Sequence, residues 1–240
     1  MRQRAHYARS RHQLPERGST ALFFASQQGH HDVVKLLFEF GASTELRTKD
    51  GGTALTVASQ CGRSAVVEIL LKNGANVHDR LNDGATPLFL AAQGGHVTVI
   101  RQLLASGAKV NQAREDGTAP LWMAAQMGHS EVVKVLLLRG ADRDADRLDG
   151  STALFKAALK GHNSVIEELL KFSPSLGLLQ NGSTALHAAV MSGNLQSVLL
   201  LLAANADPSL PDENNRLPSH LTKSDRIRKV LRREAVNGDS

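Results

Sequence analysis

The chain has 240 residues, of which 42% are hydrophobic and only 4% aromatic, so it can bury a core of small aliphatic side chains. Its single cysteine, Cys61, excludes an internal disulfide bond and is typical of a reducing compartment, so we expect an intracellular protein of the cytoplasm or the nucleus. The longest apolar run, Val198 to Ala204, is too short to span a membrane, and no apolar run follows the basic N-terminus. We therefore expect neither a transmembrane segment nor a secretory signal.

The net charge of +5 is concentrated at the two ends of the chain. Residues 1–17 and residues 216–240 each carry +4, which leaves −3 for residues 18–215. The central part therefore lacks the excess of cations that is typical of nucleic-acid-binding domains, and a nucleic acid partner is not expected for it. Residues 1–17 are rich in Arg and have almost no apolar residues, so we interpret them as a basic disordered tail.

From Gly18 onward one pattern recurs about six times with a period of 33 residues. Its clearest copy contains, in order, Asp83-Gly84, Thr86-Pro87-Leu88, Ala91-Ala92, Gly95-His96 and Gly107-Ala108. Asp50-Gly51 and Asp116-Gly117 stand 33 residues to either side of Asp83-Gly84. A fixed period of this length predicts stacked copies of one small unit, each of which buries its apolar face against its neighbours.

Each copy predicts two short helices followed by a projecting turn. Thr86 stands where its hydroxyl can cap the first helix, and Pro87 occupies the first helical position, where its missing N–H costs nothing. Gly95 ends this helix in a left-handed conformation, and Gly107 ends the second helix in the same way. The residues that follow form an extended finger with a tight turn at Asp116-Gly117.

Two copies depart from the pattern. In the fourth copy Ala119 replaces the capping Thr. In the fifth, Thr184 follows Thr152 by 32 residues instead of 33, so one residue is missing from this finger, and Pro174 should stop the second helix early. The three leucines between Pro174 and Leu179 could form an exposed contact site, although we expect them to tuck under the neighbouring repeat.

The C-terminal part follows the sixth copy. Leu217-Pro218 echoes the Thr-Pro pair out of register, and Arg226 to Arg233 reads as an amphipathic helix. We expect its apolar residues, Ile227, Val230 and Leu231, to cover the last repeat, and the end from Glu234 to be loose. The predicted boundaries are 1–17 for the tail, 18–49, 50–82, 83–115, 116–148, 149–180 and 181–213 for the repeats, and 216–240 for the capping helix and C-terminus.

The phased copies of Thr-Pro-Leu, two Ala, Gly-His, a Val/Leu helix and Gly-Ala resemble the ankyrin repeat over roughly residues 18–212. The resemblance implies an all-α solenoid of about six repeats, each a helix-turn-helix with a β-hairpin finger, and a C-terminal capping helix. It also implies further repeats upstream, so this chain reads as truncated or alternatively started, and we expect its first repeat to fray. The family consists of adaptable binding scaffolds, so we expect a monomeric, non-catalytic protein that binds another protein.

We expect no cofactor and no metal ion. The recurring histidines are separated by one repeat, about 10 Å, which is too far for two of them to share one ion. The resemblance implies a structural role for them, and Cys61 has no evident base partner. The histidines in question are His30, His96, His129 and His162.

The resemblance places partner binding on the concave, finger-lined face. The finger positions are Arg47, Lys49, Arg80, Asn82, Arg114, Glu115, Arg147 and Leu148. The positions at the ends of the first helices are Gln27, Gln28, Gln60, Cys61, Gln93, Gln126, Met127, Leu159 and Lys160. The arginines nearly align, which favours an acidic segment as partner, although a finger must be polar in any case. The alternative is a regulatory protein that its basic tails dock on nucleic acid or an anionic membrane.

Overall fold

The structure is a computed structural model that describes residues 20–180 and 182–237. In this part of the chain, thirteen α-helices and a short 3-10 helix, Pro218–Leu221, follow one another, and the one β contact is an isolated bridge between Asp146 and Thr152. The α-helices are α1 (Ala21–Gln28), α2 (His31–Glu39), α3 (Ala54–Gln60), α4 (Ser64–Lys72), α5 (Pro87–Gly94), α6 (Val97–Ala105), α7 (Pro120–Met127), α8 (Ser130–Leu138), α9 (Ala153–Lys160), α10 (Asn163–Leu170), α11 (Ala185–Ser192), α12 (Leu195–Ala203) and α13 (Asp225–Asn237).

The helices stack in two layers. The first helices of the pairs (α1, α3, α5, α7, α9 and α11) contact one another in chain order, and so do the second helices (α2, α4, α6, α8, α10 and α12). Small side chains let the first helices approach closely; Ala91 and Ala92 are completely buried, and Leu88 is 1% exposed. One continuous apolar core runs through all six pairs. The all-α solenoid predicted from the period is therefore confirmed.

The predicted helix ends are present in the clearest repeat. The Thr86 hydroxyl accepts a hydrogen bond from the Phe89 N–H at 3.2 Å, Pro87 begins α5, and Gly95 has φ +75°. A Cβ atom on Gly95 would lie only 2.8 Å from Nδ1 of His129 in the next repeat, so both the backbone conformation and the close approach require glycine there. Ala119 makes no such capping bond at the start of α7.

Each finger is a hydrogen-bonded turn that leads into a first helix. We call residues 46–52, 79–85, 112–118, 145–151, 177–183 and 210–216 the finger turns. In the third turn the Arg114 N–H donates to the Thr118 carbonyl at 3.0 Å, and Gly117 has φ +79°. Neighbouring turns are also joined, because the Glu115 N–H donates to the Asp83 carbonyl at 3.2 Å. These bonds hold the fingers in register along the stack.

The fifth repeat departs from the others where one residue is missing. Its second helix ends at Leu170 and has 8 residues, whereas the second helices of the other five repeats have 9. Ser173 takes φ +50°, in the position that Gly140 occupies one repeat earlier. Pro174 is buried and Leu176 packs against the core, but Leu178 is 52% exposed. The leucines of this finger thus divide between the core and the surface.

The C-terminal segment is a shortened seventh unit. Leu217 follows Thr184 by 33 residues and stands at the N-cap of the 3-10 helix, so the Leu217-Pro218 pair lies in register, and the expectation that it is out of register is wrong. The reason is that the one-residue gap lies before Thr184. Beyond it, Ile227 and Leu231 of α13 are 2% and 1% exposed. They cover the end of the core as expected, whereas Val230 is half-buried.

Candidate protein-binding surface

One side of the array is formed by the first helices and the finger turns that overhang them, and we call it the finger-lined face. A repeated hydrogen bond closes the end of each first helix on the next repeat. The ring Nε2 of His129 lies 3.0 Å from the Gln93 carbonyl oxygen, which can only accept, so the ring donates. His96 and His162 make the same contact with the carbonyls of Gln60 and Gln126, at 2.9 and 3.0 Å. This contact explains why histidine recurs there.

The four finger arginines occupy two different registers. Arg47 and Arg80 are equivalent, whereas Arg114 and Arg147 stand one position later in their turns. Arg47 pairs with the carboxylate of Asp79, which is 5% exposed, and also donates to the carbonyls of Gly51 and Arg80. Arg47 therefore links two neighbouring finger turns, and part of its hydrogen-bonding capacity is used inside the molecule.

Arg114 and Arg147 each bridge two fingers and cover an aromatic ring. Arg114 lies 2.9 Å from the Asp83 carboxylate of the preceding finger, and its guanidinium carbon lies 5.3 Å from the centre of the Phe89 ring. Arg147 repeats this geometry one unit later. It pairs with Asp116 at 3.0 Å and with Asp149 at 3.3 Å, and it lies 5.3 Å from the centre of the Trp122 ring. Both arginines thus stabilise the fingers.

The carboxylates of this network hold their charge. Burial raises the pKa of the Asp116 carboxyl, but hydrogen bonds from Thr118 and the charges of Arg114 and Arg147 outweigh it, so that pKa lies below its usual value. Asp149 behaves alike: burial raises its pKa, and the hydrogen bonds from Ser151 and nearby cations lower it further than burial raises it. Both finger turns are therefore neutralised from within.

The remaining finger positions lie at the surface. Arg80 is exposed, and among the described residues its side chain forms no ion pair; it lines a cleft of about 90 Å³ with His78 and Lys109. Lys49, Asn82 and Glu115 are also exposed, but the Asn82 amide donates to the Lys49 carbonyl at 3.0 Å. A partner role for each predicted finger residue stays a prediction.

The predicted first-helix positions form a row across the array. Gln60, Gln93 and Lys160 are exposed, Met127 is 45% exposed, and Gln27 and Gln126 are half-buried. The backbone carbonyls of all four glutamines accept hydrogen bonds from the following repeat, whereas no bond is present for their side-chain amides. The side chains of this row are thus presented on a backbone that is tied to its neighbours.

Three features of this face escaped the sequence reasoning. Trp122 is 3% exposed and its indole N–H donates to the Ser151 carbonyl at 3.0 Å, so it belongs to the structure of the finger. Lys156 lies 5.1 Å from the centre of the Trp122 ring, opposite a conventional helix position. Met191 is 58% exposed at the position equivalent to Leu159. Aligning the repeats column by column would have pointed to Lys156 and Met191, which stand in the same columns as Met123 and Gln126.

Two other possibilities were examined across the described residues. No cluster of three His, Cys, Asp or Glu side chains there could hold a metal ion. Likewise, no helix of residues 20–180 and 182–237 is both long enough and apolar enough to cross a membrane. The predicted tail, residues 1–17, lies outside the described residues.

Comparison with known proteins identifies the architecture. The family model for ankyrin repeats matches in three copies, over residues 5–81, 73–147 and 138–212. The crystal structure of the human ASB11 ankyrin repeat domain superposes with a TM-score of 0.83 at 28% identity, covering 90% of this chain and 98% of that one. The first family match begins at residue 5, within the segment interpreted above as a tail.

Closer sequence similarity covers a shorter part of the chain. Ankyrin repeat domain-containing protein 29 of Danio rerio is 79% identical over 73 residues, which are 30% of this chain and 24% of that protein. The human protein of the same name is 71% identical over 65 residues, which are 27% of this chain and 22% of that protein. The matched part thus spans less than a quarter of these curated relatives. With family matches over most of its length, the chain belongs to the ankyrin-repeat family, whose repeats are in general protein–protein interaction modules.

Proposed function

We propose that this chain is a non-catalytic scaffold that binds another protein through its finger-lined face. One observation carries the proposal. The row of first-helix side chains is exposed at equivalent positions in successive repeats, while the backbone beneath it is held by hydrogen bonds between repeats, as at His96 and His129. A surface that is already ordered loses little conformational entropy when a partner binds. The free thiol of Cys61 fits an intracellular setting.

Affinity purification with two matched variants tests this proposal. The first variant, Gln60→Arg, Gln93→Arg and Met127→Arg, places three new charges on the finger-lined face. The second places the same number on exposed positions of the second helices, with Thr98→Arg, Glu131→Arg and Glu167→Arg. Circular dichroism first verifies that both fold. Quantitative mass spectrometry should find a partner that the unchanged chain and the second variant retain and the first loses; the reverse pattern would refute the proposal.

A second candidate is docking through the basic C-terminal helix. Arg226, Lys229, Arg232 and Arg233 of α13 are all exposed, on the side away from the buried Ile227 and Leu231. Among the described residues of α13, the ion pair present joins Arg228 and Asp225. Binding to nucleic acid or anionic vesicles through this helix should weaken steeply with salt and disappear when residues 216–240 are removed. Binding through the finger-lined face should survive that truncation.

A further inference from the structure

The first-helix layer carries almost no charge, and what it carries has one sign. The six first helices, α1, α3, α5, α7, α9 and α11, all lie in the described part of the chain and contain no Asp or Glu. Their two cationic residues are Lys156 and Lys160, and both belong to α9. These lysines stand one helical turn apart, a separation that brings side chains onto the same face of a helix, with Cβ atoms about 5–6 Å apart.

Neither lysine has a carboxylate partner among the described residues, in contrast to the finger arginines. Arg47, Arg114 and Arg147 all form ion pairs with finger aspartates. The Lys156 ammonium instead lies against the Trp122 ring, 5.1 Å from its centre, and Lys160 is exposed in the last turn of α9. The arginine network is thus largely neutralised, whereas the two lysines remain available to an external anion.

Large apolar side chains flank the two lysines. Met127 ends α7 on one side and is 45% exposed, and Met191 lies on α11 on the other side and is 58% exposed. Leu159 is half-buried between them in the column of positions that also contains Gln126 and Met191. In the first three repeats the same column holds Gln27, Gln60 and Gln93. The change from amide to apolar side chains therefore coincides with the arrival of positive charge. Exposed Met side chains adapt well to different apolar partners.

We propose that Met127, Lys156, Leu159, Lys160 and Met191, which we call the α9 patch, bind a segment of another protein that carries acidic residues next to large apolar side chains. This inference rests on the proposed function and assigns the partner chemistry within that face. A carboxylate placed between the two ammonium groups supplies the charge that the first-helix layer lacks. Neighbouring Leu, Met or Phe side chains of the partner remove the exposed methionines from water.

Selection from a random peptide library, with the whole chain as bait, supplies the probes. Peptides that bind the unchanged chain should be enriched in Asp or Glu beside Leu, Ile, Met or Phe. The dissociation constant of a selected peptide, measured by fluorescence polarisation, should rise about tenfold for Lys156→Gln with Lys160→Gln, because two ion pairs are lost. It should rise by a similar factor for Met127→Ser with Met191→Ser. Lys156→Arg with Lys160→Arg should keep most of the affinity.

Matched variants separate this inference from the proposed function. Arg101→Gln with Lys134→Gln removes two exposed cations from the second helices and should leave the affinity unchanged. Selected peptides without acidic residues, no selected peptides, or an affinity insensitive to both lysines would overturn the α9 patch. If such peptides are still lost with Gln60→Arg and Gln93→Arg, binding to the finger-lined face stands without it. Peptides sensitive only to the second-helix variant would overturn both.

Discussion

At the scale of single residues, the contact between each histidine and the preceding repeat has a measurable stability. His129→Ala removes the hydrogen bond to the Gln93 carbonyl and the ring that packs on Gly95, which should lower the free energy of unfolding by about 1 kcal/mol. Urea unfolding followed by circular dichroism measures the change. His31→Ala, at an exposed histidine, is the control and should cost less than about 0.5 kcal/mol. Equal effects would mean that the repeated contact contributes nothing.

The finger aspartates make the stability depend on pH in a defined direction. Because the folded-state pKa values of Asp116 and Asp149 lie below their usual values, the stabilisation is complete at neutral pH and disappears as the pH falls below about 4 and through the folded values. Both side chains are partly exposed, which keeps the effect small. Thermal melting at pH 7 and pH 3 should therefore show a smaller loss of Tm for Asp116→Asn with Asp149→Asn than for the unchanged chain.

Glu131→Gln, on the second-helix layer, serves as the control for this measurement. It should leave the difference in Tm between the two pH values as it is in the unchanged chain. If the double finger variant also keeps that difference, the finger carboxylates do not contribute to the acid sensitivity.

At the scale of elements, the two helices of a repeat bury different amounts of surface. In α5 the six residues from Pro87 to Ala92 are all buried, whereas α6 buries Val99, Ile100 and Leu103 on one side. Helices of 7–9 residues are marginal in isolation, so this burial supplies most of their stability. The first helix lies between two neighbouring first helices and beneath a finger, which is why its sequence is apolar all round.

The missing cap of α7 offers a way to stabilise one element. Ala119 has φ −83° and ψ 159°, close to the −94° and 164° of Thr86, and both residues are almost fully buried. Ala119→Thr should therefore add a capping hydrogen bond and raise the free energy of unfolding by about 1 kcal/mol. Thr152→Ala, which removes the bond from α9, should lower it by a similar amount. Urea unfolding measures both, and a destabilising Ala119→Thr would mean that the hydroxyl does not fit.

At the scale of the whole molecule, the two ends of the stack differ. Val33 and Leu36 on α2 are 46% and 50% exposed, whereas the residues equivalent to Val33 one and two repeats later, Val66 and Val99, are 0% and 1% exposed. Ile227 and Leu231 cover the opposite end. In an array where each repeat contacts only its neighbours, the less covered end should open more often.

Hydrogen exchange should detect this asymmetry. The amides of α1 and α2 should exchange faster than those of α5 to α8, because fewer apolar contacts hold the first repeat in place. Mass spectrometry of peptic fragments of the whole chain gives the comparison. Protection in the first repeat equal to that of the third and fourth would contradict the expectation.

The sequence by itself determined the period, the family, the positions of the helices and most of their ends, because these depend on local chemistry. A capping Thr86, a left-handed Gly95 and alanines at helical spacing act through neighbours along the chain. The sequence also located the finger-lined face, through the resemblance to ankyrin repeats. It misplaced Leu217-Pro218 because the register after a one-residue gap is set by how the last finger turn packs on its neighbour.

The tertiary structure alone decided which charges on that face remain available. Arg114 and Arg147 look like a free basic rim in the sequence, yet each meets an aspartate 31 residues earlier and an aromatic ring beneath it. Lys156 and Lys160 look unremarkable in the sequence, yet they are the cations of a layer without carboxylates. Such pairing depends on which finger stacks against which, and on a shift of one position between Arg80 and Arg114. Only the packed array brings those groups within a few ångströms of one another.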